Sequence, residues 1–465
     1  MSQNRAVRAH ADSPRHVARW GAAMLCVAVL GAAPSAAGEV GPPAAKTLHR
    51  VPDPVIVSGG ALTGLAGQKL DRLGLFALGA AGTLVPIPFQ IDEKTADGTS
   101  YVYAAGKEAN ASQAKGALGA HDELVFLAGD SGGRLAPGGT WPATAERGTE
   151  IEVRDPVDGG VGWTYLFAFA SAPPKSDSRY VQYDRARDVI EARSYSLGYT
   201  PGHDRVYFSS ASVPTSAGGT GANFVDRLKL RTYVKTLLWF SVSFDEDEWD
   251  DEVTAYLQGP IRVIRQERNR LTFAGIEVAP TLLVDAMYFP DFHLAPVQVD
   301  QTIHFPSFAH EAWFKLAMDW NASAKGMRYY RPRVGSAPGV PDAWHTIDGV
   351  TTADERGLDD QQPDWHLVTG TPGTFLWWVE MPPPLVPVTH LTYTDDAATA
   401  DPPESTPGSL GEIAYKFDLF PLEMGTYHMR LYYMFPPRWE PGAEKPWIDM
   451  IKRPVTTTVQ ALTRS

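Results

Sequence analysis

The sequence predicts an all-β protein: an N-terminal β-sandwich followed by a larger, supersandwich-like multi-sheet domain. Three observations carry that expectation. Stretches with apolar residues at i, i+3 and i+4 are scarce. Short alternating or β-branched runs dominate instead. The 38 Pro and 42 Gly punctuate these runs at the spacing of strands and turns.

Residues 1–37 read as a secretory signal peptide. Arg5, Arg8, Arg15 and Arg19 form a basic region, 21–33 is apolar, and Pro34-Ser35-Ala36-Ala37 supplies small residues for cleavage. The apolar run falls short of the roughly 18–20 residues that span a bilayer, so no integral membrane segment is expected in the mature chain. A periplasmic or secreted location follows. Cys26, the sole cysteine, lies inside this segment. A mature chain without cysteine excludes thiol catalysis, Cys-ligated zinc, iron–sulfur clusters and c-type haem attachment. Losing Arg5, Arg8, Arg15, Arg19 and Asp12 moves the formal charge from −13 to −16. That charge argues against nucleic acid and leaves cations and neutral sugars open as partners.

The first block spans 51–174, with strands expected at 54–57, 72–77, 84–91, 123–128, 150–154 and 163–170. Its size suits one small sandwich. A linker rich in Pro and Ser precedes the second block, 179–437. Strands are expected there at 189–195, 204–208, 228–233, 237–244, 253–257, 261–267, 271–273, 281–288, 298–304, 313–316, 366–369, 374–379, 412–418 and 426–435. The longest irregular stretch lies within 320–373, where functional loops tend to sit. Residues 438–465 read as a polar tail with a loose end.

Several phrases resemble those of a group of secreted bacterial β-proteins: Pro86-Ile87-Pro88-Phe89-Gln90-Ile91-Asp92-Glu93, Asp122-Glu123-Leu124-Val125-Phe126 and Trp163-Thr164-Tyr165-Leu166-Phe167. Gly259-Pro260-Ile261-Arg262-Val263-Ile264-Arg265 is similar to a strand phrase of galactose-mutarotase-like supersandwich domains. That superfamily includes polysaccharide-lyase domains and sugar epimerases. The resemblance implies a fold and a carbohydrate-related role, and it brings no catalytic motif that can be matched residue by residue.

Four groups could carry chemistry. Asp245 to Glu252 places seven carboxylates in eight residues. Asp245, Asp247, Asp250 and Asp251 are candidate ligands for Ca²⁺, which prefers hard oxygen donors; a solvated turn between two strands is the plainer alternative. His293 and His304 lie in a second group with Asp291, Asp300, His310 and Glu311. Either histidine could act as a base, with Arg262 neutralising a uronic carboxylate. A third group mixes Trp344, His345, Asp348, Asp354, Glu355, Asp359, Asp360, Asp364, Trp365 and His366. His345 is a further candidate base, and Trp344 and Trp365 are candidate platforms for sugar rings. Trp377-Trp378 follows in a strand, where one ring is expected to face outward; Trp378 joins the candidate platform. Asp92-Glu93 and Asp122-Glu123 are expected to cap turns and pair with nearby Lys or Arg. The functional expectation is an exported carbohydrate-active protein such as a polysaccharide lyase, or else a non-catalytic glycan-binding or envelope-associated scaffold. An enzyme should gather histidine, arginine and acid in one Trp-lined cleft, whereas a scaffold should scatter them and present aromatics on an outer face.

Overall fold

The strand Gly373–Glu380 turns Phe375, Trp377 and Val379 to one side and Leu376 and Trp378 to the other, and all five are buried. Alternation with burial on both sides means that both faces of the sheet are covered. The rest of the architecture follows from what covers them. The computed structural model describes residues 43–200, 207–236, 241–273, 276–277, 282–301, 309–332, 343–358, 360–361, 363–399, 401–406 and 408–464. The signal-peptide expectation lies outside the described residues, as does His304.

Gly373–Glu380 belongs to an eleven-stranded sheet. Its order runs Ala343–Thr346, Arg328–Arg331, Trp365–Gly370, Gly373–Glu380, Gly425–Met434, Phe292–Gln301, Leu282–Tyr288, Val263–Phe273, Trp249–Gln258, Ala105–Gly106, with Ile276–Glu277 paired to Val263–Phe273. One face packs against a five-stranded sheet ordered Ser241–Phe244, Val225–Thr236, Ala309–Trp320, Gly411–Asp418, Thr389–Asp395, and against a four-stranded sheet from Val181–Asp184 to Ser210–Ser212. The core between them is aromatic, with Trp320, Phe375, Trp377, Tyr415 and Tyr433 fully enclosed.

The opposite face meets the N-terminal block. There the three-stranded sheet Pro54–Ser58, Glu123–Leu127, Gln90–Asp92 lies between two partners. Val125 and Leu127 pack toward the long sheet. Leu124 and Phe126 pack toward a second N-terminal sheet that contains Leu73–Leu78, Ala145–Arg154 and Val161–Phe169. The two blocks also share the long sheet directly, because Ala105–Gly106 pairs with Ala255 and Tyr256. Gly106 makes that approach possible: its φ is +114°, and a Cβ there would sit 2.5 Å from the Ala255 Cα.

The protein is therefore all-β, with small N-terminal sheets and a large, supersandwich-like multi-stranded sheet. α-Helix among the described residues is confined to Ala353–Arg356 and Lys445–Lys452, neither long enough to cross a membrane. Two expectations need correcting. The stretch read as irregular contains the hairpin Arg328–Arg331 and Ala343–Thr346. The stretch read as a polar tail contains the helix Lys445–Lys452 and the strand Thr456–Leu462, which pairs along Ala145–Arg154 at the edge of the N-terminal sheet. The helix places Trp447 and Met450 over Leu376 and Trp378. Arg50 ties this return segment down, with Nη2 donating to the Arg453 carbonyl at 2.9 Å and its other bonds going to Asp53 and Asp155.

Candidate functional site

The phrases that carried the resemblance meet in space. Gln90 Oε1 accepts from the backbone N–H of Ile261 and Arg262 at 3.0 and 2.8 Å, while its Nε2 donates to both oxygens of Asp92. Arg262 has no exposed surface; its Nε donates to Asp92 at 2.7 Å and its Nη2 donates to Glu123. Lys94 also reaches Glu123, at 2.9 Å. Burial pushes both carboxyls up. The charges of Arg262 and Lys94 outweigh this at Glu123 and hold it below its usual range, whereas Asp92 stays raised. Asp92 and Glu123 thus pair with cations, and Asp122 and Glu93 accept backbone N–H groups at turns, as expected of acids at strand ends. Arg262 is enclosed and neutralised by two acids. It holds the N-terminal block to the long sheet rather than facing a cleft. Three residues on, Arg265 points to the other side, over the Tyr199 ring at 3.9 Å and beside Glu267 and Asp188.

His293 is also sealed in. Its ring lies between Tyr288 and Tyr433, with centroids 4.2 and 5.3 Å away and planes 3° and 11° apart, and its Nδ1 is 3.2 Å from the Met287 carbonyl oxygen. Burial pushes its pKa down to about 3, so it is neutral and a poor base. His345 is buried beside Tyr329 and Tyr393, with Nδ1 3.8 Å from a Glu355 oxygen. His366 is likewise driven down to about 3 by burial, and its Nδ1 lies 3.3 Å from the Tyr415 hydroxyl. His293 and Arg262 face opposite sides of the long sheet, and His345 lies at its far edge.

The aromatics behave differently. Tyr330 is set opposite Trp344 and Leu367 in the ladder, and Trp365 opposite Trp378. Pleat parity turns Tyr330, Trp344 and Trp365 away from the sheet-to-sheet core that receives Tyr329, His345 and His366. Trp439 folds back from beyond the strand Gly425–Met434 to join them. Tyr330 lies 4.8 Å from Trp344 and 5.6 Å from Trp365, and Trp439 lies 5.0 Å from Trp344. All four rings are half-buried. Arg328 sits 4.3 Å over Trp344, and Lys452 pairs with Asp364 at 2.6 Å on the same side. The Trp439 Nε1–H has no hydrogen-bond partner among the described residues. The predicted pair Trp344 and Trp365 is thus brought together, and two members, Tyr330 and Trp439, escaped the sequence reading. Trp378 adjoins the group but is only 3% exposed, because the helix Lys445–Lys452 covers it.

The acidic run disperses. It forms a turn and the start of the strand Trp249–Gln258. Asp245 accepts from the Asp247 backbone N–H, Glu246 turns inward to Arg227 and Arg231, and Asp247 faces Arg227 at 3.5 Å. Asp250 pairs with Arg270, and Asp251 is buried. Arginines on neighbouring strands split the run, so Asp245, Asp247, Asp250 and Asp251 do not converge as Ca²⁺ ligands would. A different set does lie together: Asp226, Asp319 and Glu404 each place a carboxylate oxygen within 4.8 Å of the others, a spacing that could coordinate a divalent cation. The Lys229 ammonium, however, sits among them, 2.6 Å from Asp319 and 2.8 Å from Glu404.

No protein-family model matches the chain, and no curated protein matches it. Among solved structures, the chain is similar to an α-mannosidase from Enterococcus faecalis V583, with 8% identity over 91% of this chain and 45% of that one and a TM-score of 0.43. A glycosyl hydrolase family 38 protein from Enterococcus faecalis matches at 8% identity over 91% and 47%, with a TM-score of 0.42. A Pichia pastoris lysyl oxidase matches at 8% identity over 57% and 54%, with a TM-score of 0.23. The chain spans about half the length of each of these structures.

Proposed function

We propose that the protein is an exported, non-catalytic glycan-binding protein whose sugar platform is formed by Tyr330, Trp344, Trp365 and Trp439. The observation that carries this reading is the parity split on the long sheet. Among the described residues, the candidate base histidines His293 and His345, with His366, are buried on the sheet-to-sheet side, while neighbouring aromatics lie half-open on the other face. Sugar rings stack on such rings through their apolar C–H faces, and the rim charges Arg328, Asp364 and Lys452 suit hydroxyls and carboxylates. His293 and His366, neutral and enclosed, support the scaffold reading over a polysaccharide lyase.

The test uses the purified mature protein, residues 38–465, against a panel of neutral and acidic polysaccharides. Binding is read by calorimetry and lyase activity by the ultraviolet absorbance of unsaturated uronic products. At least one glycan should bind without new absorbance, and Trp344→Ala with Trp365→Ala should weaken binding by roughly tenfold or more, about 1.4 kcal/mol. Absence of binding across the panel would remove the reading, and product formation would replace it with the enzyme. Retention of the mature form in the periplasmic or culture fraction checks export.

A further inference from the structure

Lys229 and Asp319 lie on antiparallel neighbours, Val225–Thr236 and Ala309–Trp320, whose register sets Lys229 opposite Ala317. Asp319 is therefore its diagonal neighbour on the same face. The Lys229 Nζ lies 2.6 Å from Asp319 Oδ2, and the two side chains are 1% and 2% exposed. The two oxygens of Asp319 have different surroundings. Oδ1 accepts from the Trp320 backbone N–H at 2.9 Å and from the Ser409 hydroxyl at 2.6 Å. Oδ2 faces the lysine, and a second acid, Glu404, holds the same nitrogen at 2.8 Å. The same nitrogen also donates to the Asp401 carbonyl at 2.7 Å. Once it gives up a proton, a lysine nitrogen, a carboxyl oxygen gripped by two donors and a second acid on the nitrogen are the parts an acyl transfer needs.

We propose that Lys229 and Asp319 become joined by an intramolecular amide bond between Nζ and Cγ, with Glu404 as the acid–base residue. Proton transfer from Nζ to Oδ2 turns the ion pair into amine and carboxylic acid without changing net charge. The nitrogen lone pair attacks Cγ, and the charge that develops on Oδ1 is met by the Trp320 N–H and the Ser409 O–H. Glu404 takes a second proton from the nitrogen and delivers it to the departing Oδ2. The C–O bond breaks, one water leaves, and one hydrogen remains on the amide nitrogen. No oxidant or co-reactant is needed. In an exported chain whose mature part has no cysteine, such a bond does what a disulfide does elsewhere, closing a long loop and restricting the unfolded chain. It also removes the lysine charge from among Asp226, Asp319 and Glu404. None of this depends on the glycan reading.

Intact-mass measurement of the purified mature protein tests it. The wild type should weigh one water less than its sequence, and proteolysis should release a branched species joining the peptides that contain Lys229 and Asp319. Lys229→Arg, Asp319→Ala and Glu404→Gln should each restore the full sequence mass; Glu404 lies at the surface, so its variant keeps the fold. If the other two variants do not fold, the wild-type mass and the branched peptide decide alone. A wild type at full sequence mass overturns the proposal, and so does a water loss mapped to any other pair of residues.

Discussion

Three pairs of sequence neighbours, Tyr329 and Tyr330, Trp344 and His345, and Trp365 and His366, divide between the two faces of one sheet edge. Tyr329, His345 and His366 enter a core closed by Tyr393 and Tyr415 from the facing sheet. Tyr330, Trp344 and Trp365 meet each other, Trp439, the margin of the second core and, at Trp344, the Arg328 guanidinium. The same strands thus supply a locked side and an available side. The difference lies in what covers each face, not in residue type. Trp377 and Trp378 show the limiting case, since a sheet covers one and the helix Lys445–Lys452 the other, and both are buried.

The largest expected effect tests this contrast directly. Trp377 makes ring contacts with Tyr415, Tyr433 and His366 at 5.1 to 5.4 Å. Trp377→Ala should cost about 3–5 kcal/mol by urea unfolding, as cavity-forming aromatic deletions do. Trp344→Ala should cost well under half of that while carrying the loss of glycan binding. Equal destabilisation by the two substitutions would erase the distinction between the faces.

Much of this architecture was legible where burial leaves a periodic trace. The segments 123–128 and 374–379 run apolar because both faces of their sheets are covered, 426–435 alternates at its start where one face is exposed, and each overlaps a strand close to the expected bounds. Arg328–Arg331 was not legible: its arginines take opposite fates, Arg331 buried and Arg328 exposed, so the pattern Arg-Tyr-Tyr-Arg shows no apolar face. Thr456–Leu462 was missed because an edge strand with an exposed, polar composition has the signature of a loop. At the candidate site, the nearness of Trp344 and Trp365 is legible because they flank one loop region. Trp439 reaches the same surface from a distant segment, which no local spacing encodes. The histidines are visible as residue types, but the neutrality of His293 and His366 depends on burial among neighbours such as Tyr288, Tyr433 and Tyr415 that only the fold brings together.

Their neutrality has a pH signature of intermediate size. His366 has a pKa near 3 in the folded protein against about 6.5 unfolded. Between those values the unfolded chain binds a proton that the folded one refuses. Its contribution to stability is thus complete above about pH 6.5 and is lost as pH falls, by ~1.4 kcal/mol per unit. Glu267 and Asp53 act in the opposite sense: burial raises each to about 7, so they favour the folded state at lower pH. The His366 part is isolated by comparing wild type with His366→Gln in urea at pH 7, 6 and 5. The wild type should lose stability more steeply than the variant below pH 6. Parallel profiles would mean that the inner face admits a protonated imidazole and is not closed.

The smallest effect belongs to the outer face. Arg328 holds its guanidinium 4.3 Å from the centre of the Trp344 ring, with its side chain in solvent. An exposed contact of this kind contributes about 0.5–1 kcal/mol. Arg328→Gln should therefore cost unfolding no more than about 1 kcal/mol and, on the proposed reading, weaken glycan binding by roughly two- to fivefold, by loosening the ring on which a sugar would stack. A loss confined to acidic glycans would assign Arg328 to carboxylate recognition, whereas an equal loss for neutral ones would assign it to holding the Trp344 ring. A drop in stability as large as that of Trp377→Ala would show that the outer rings are structural, and the two faces would then differ only in exposure.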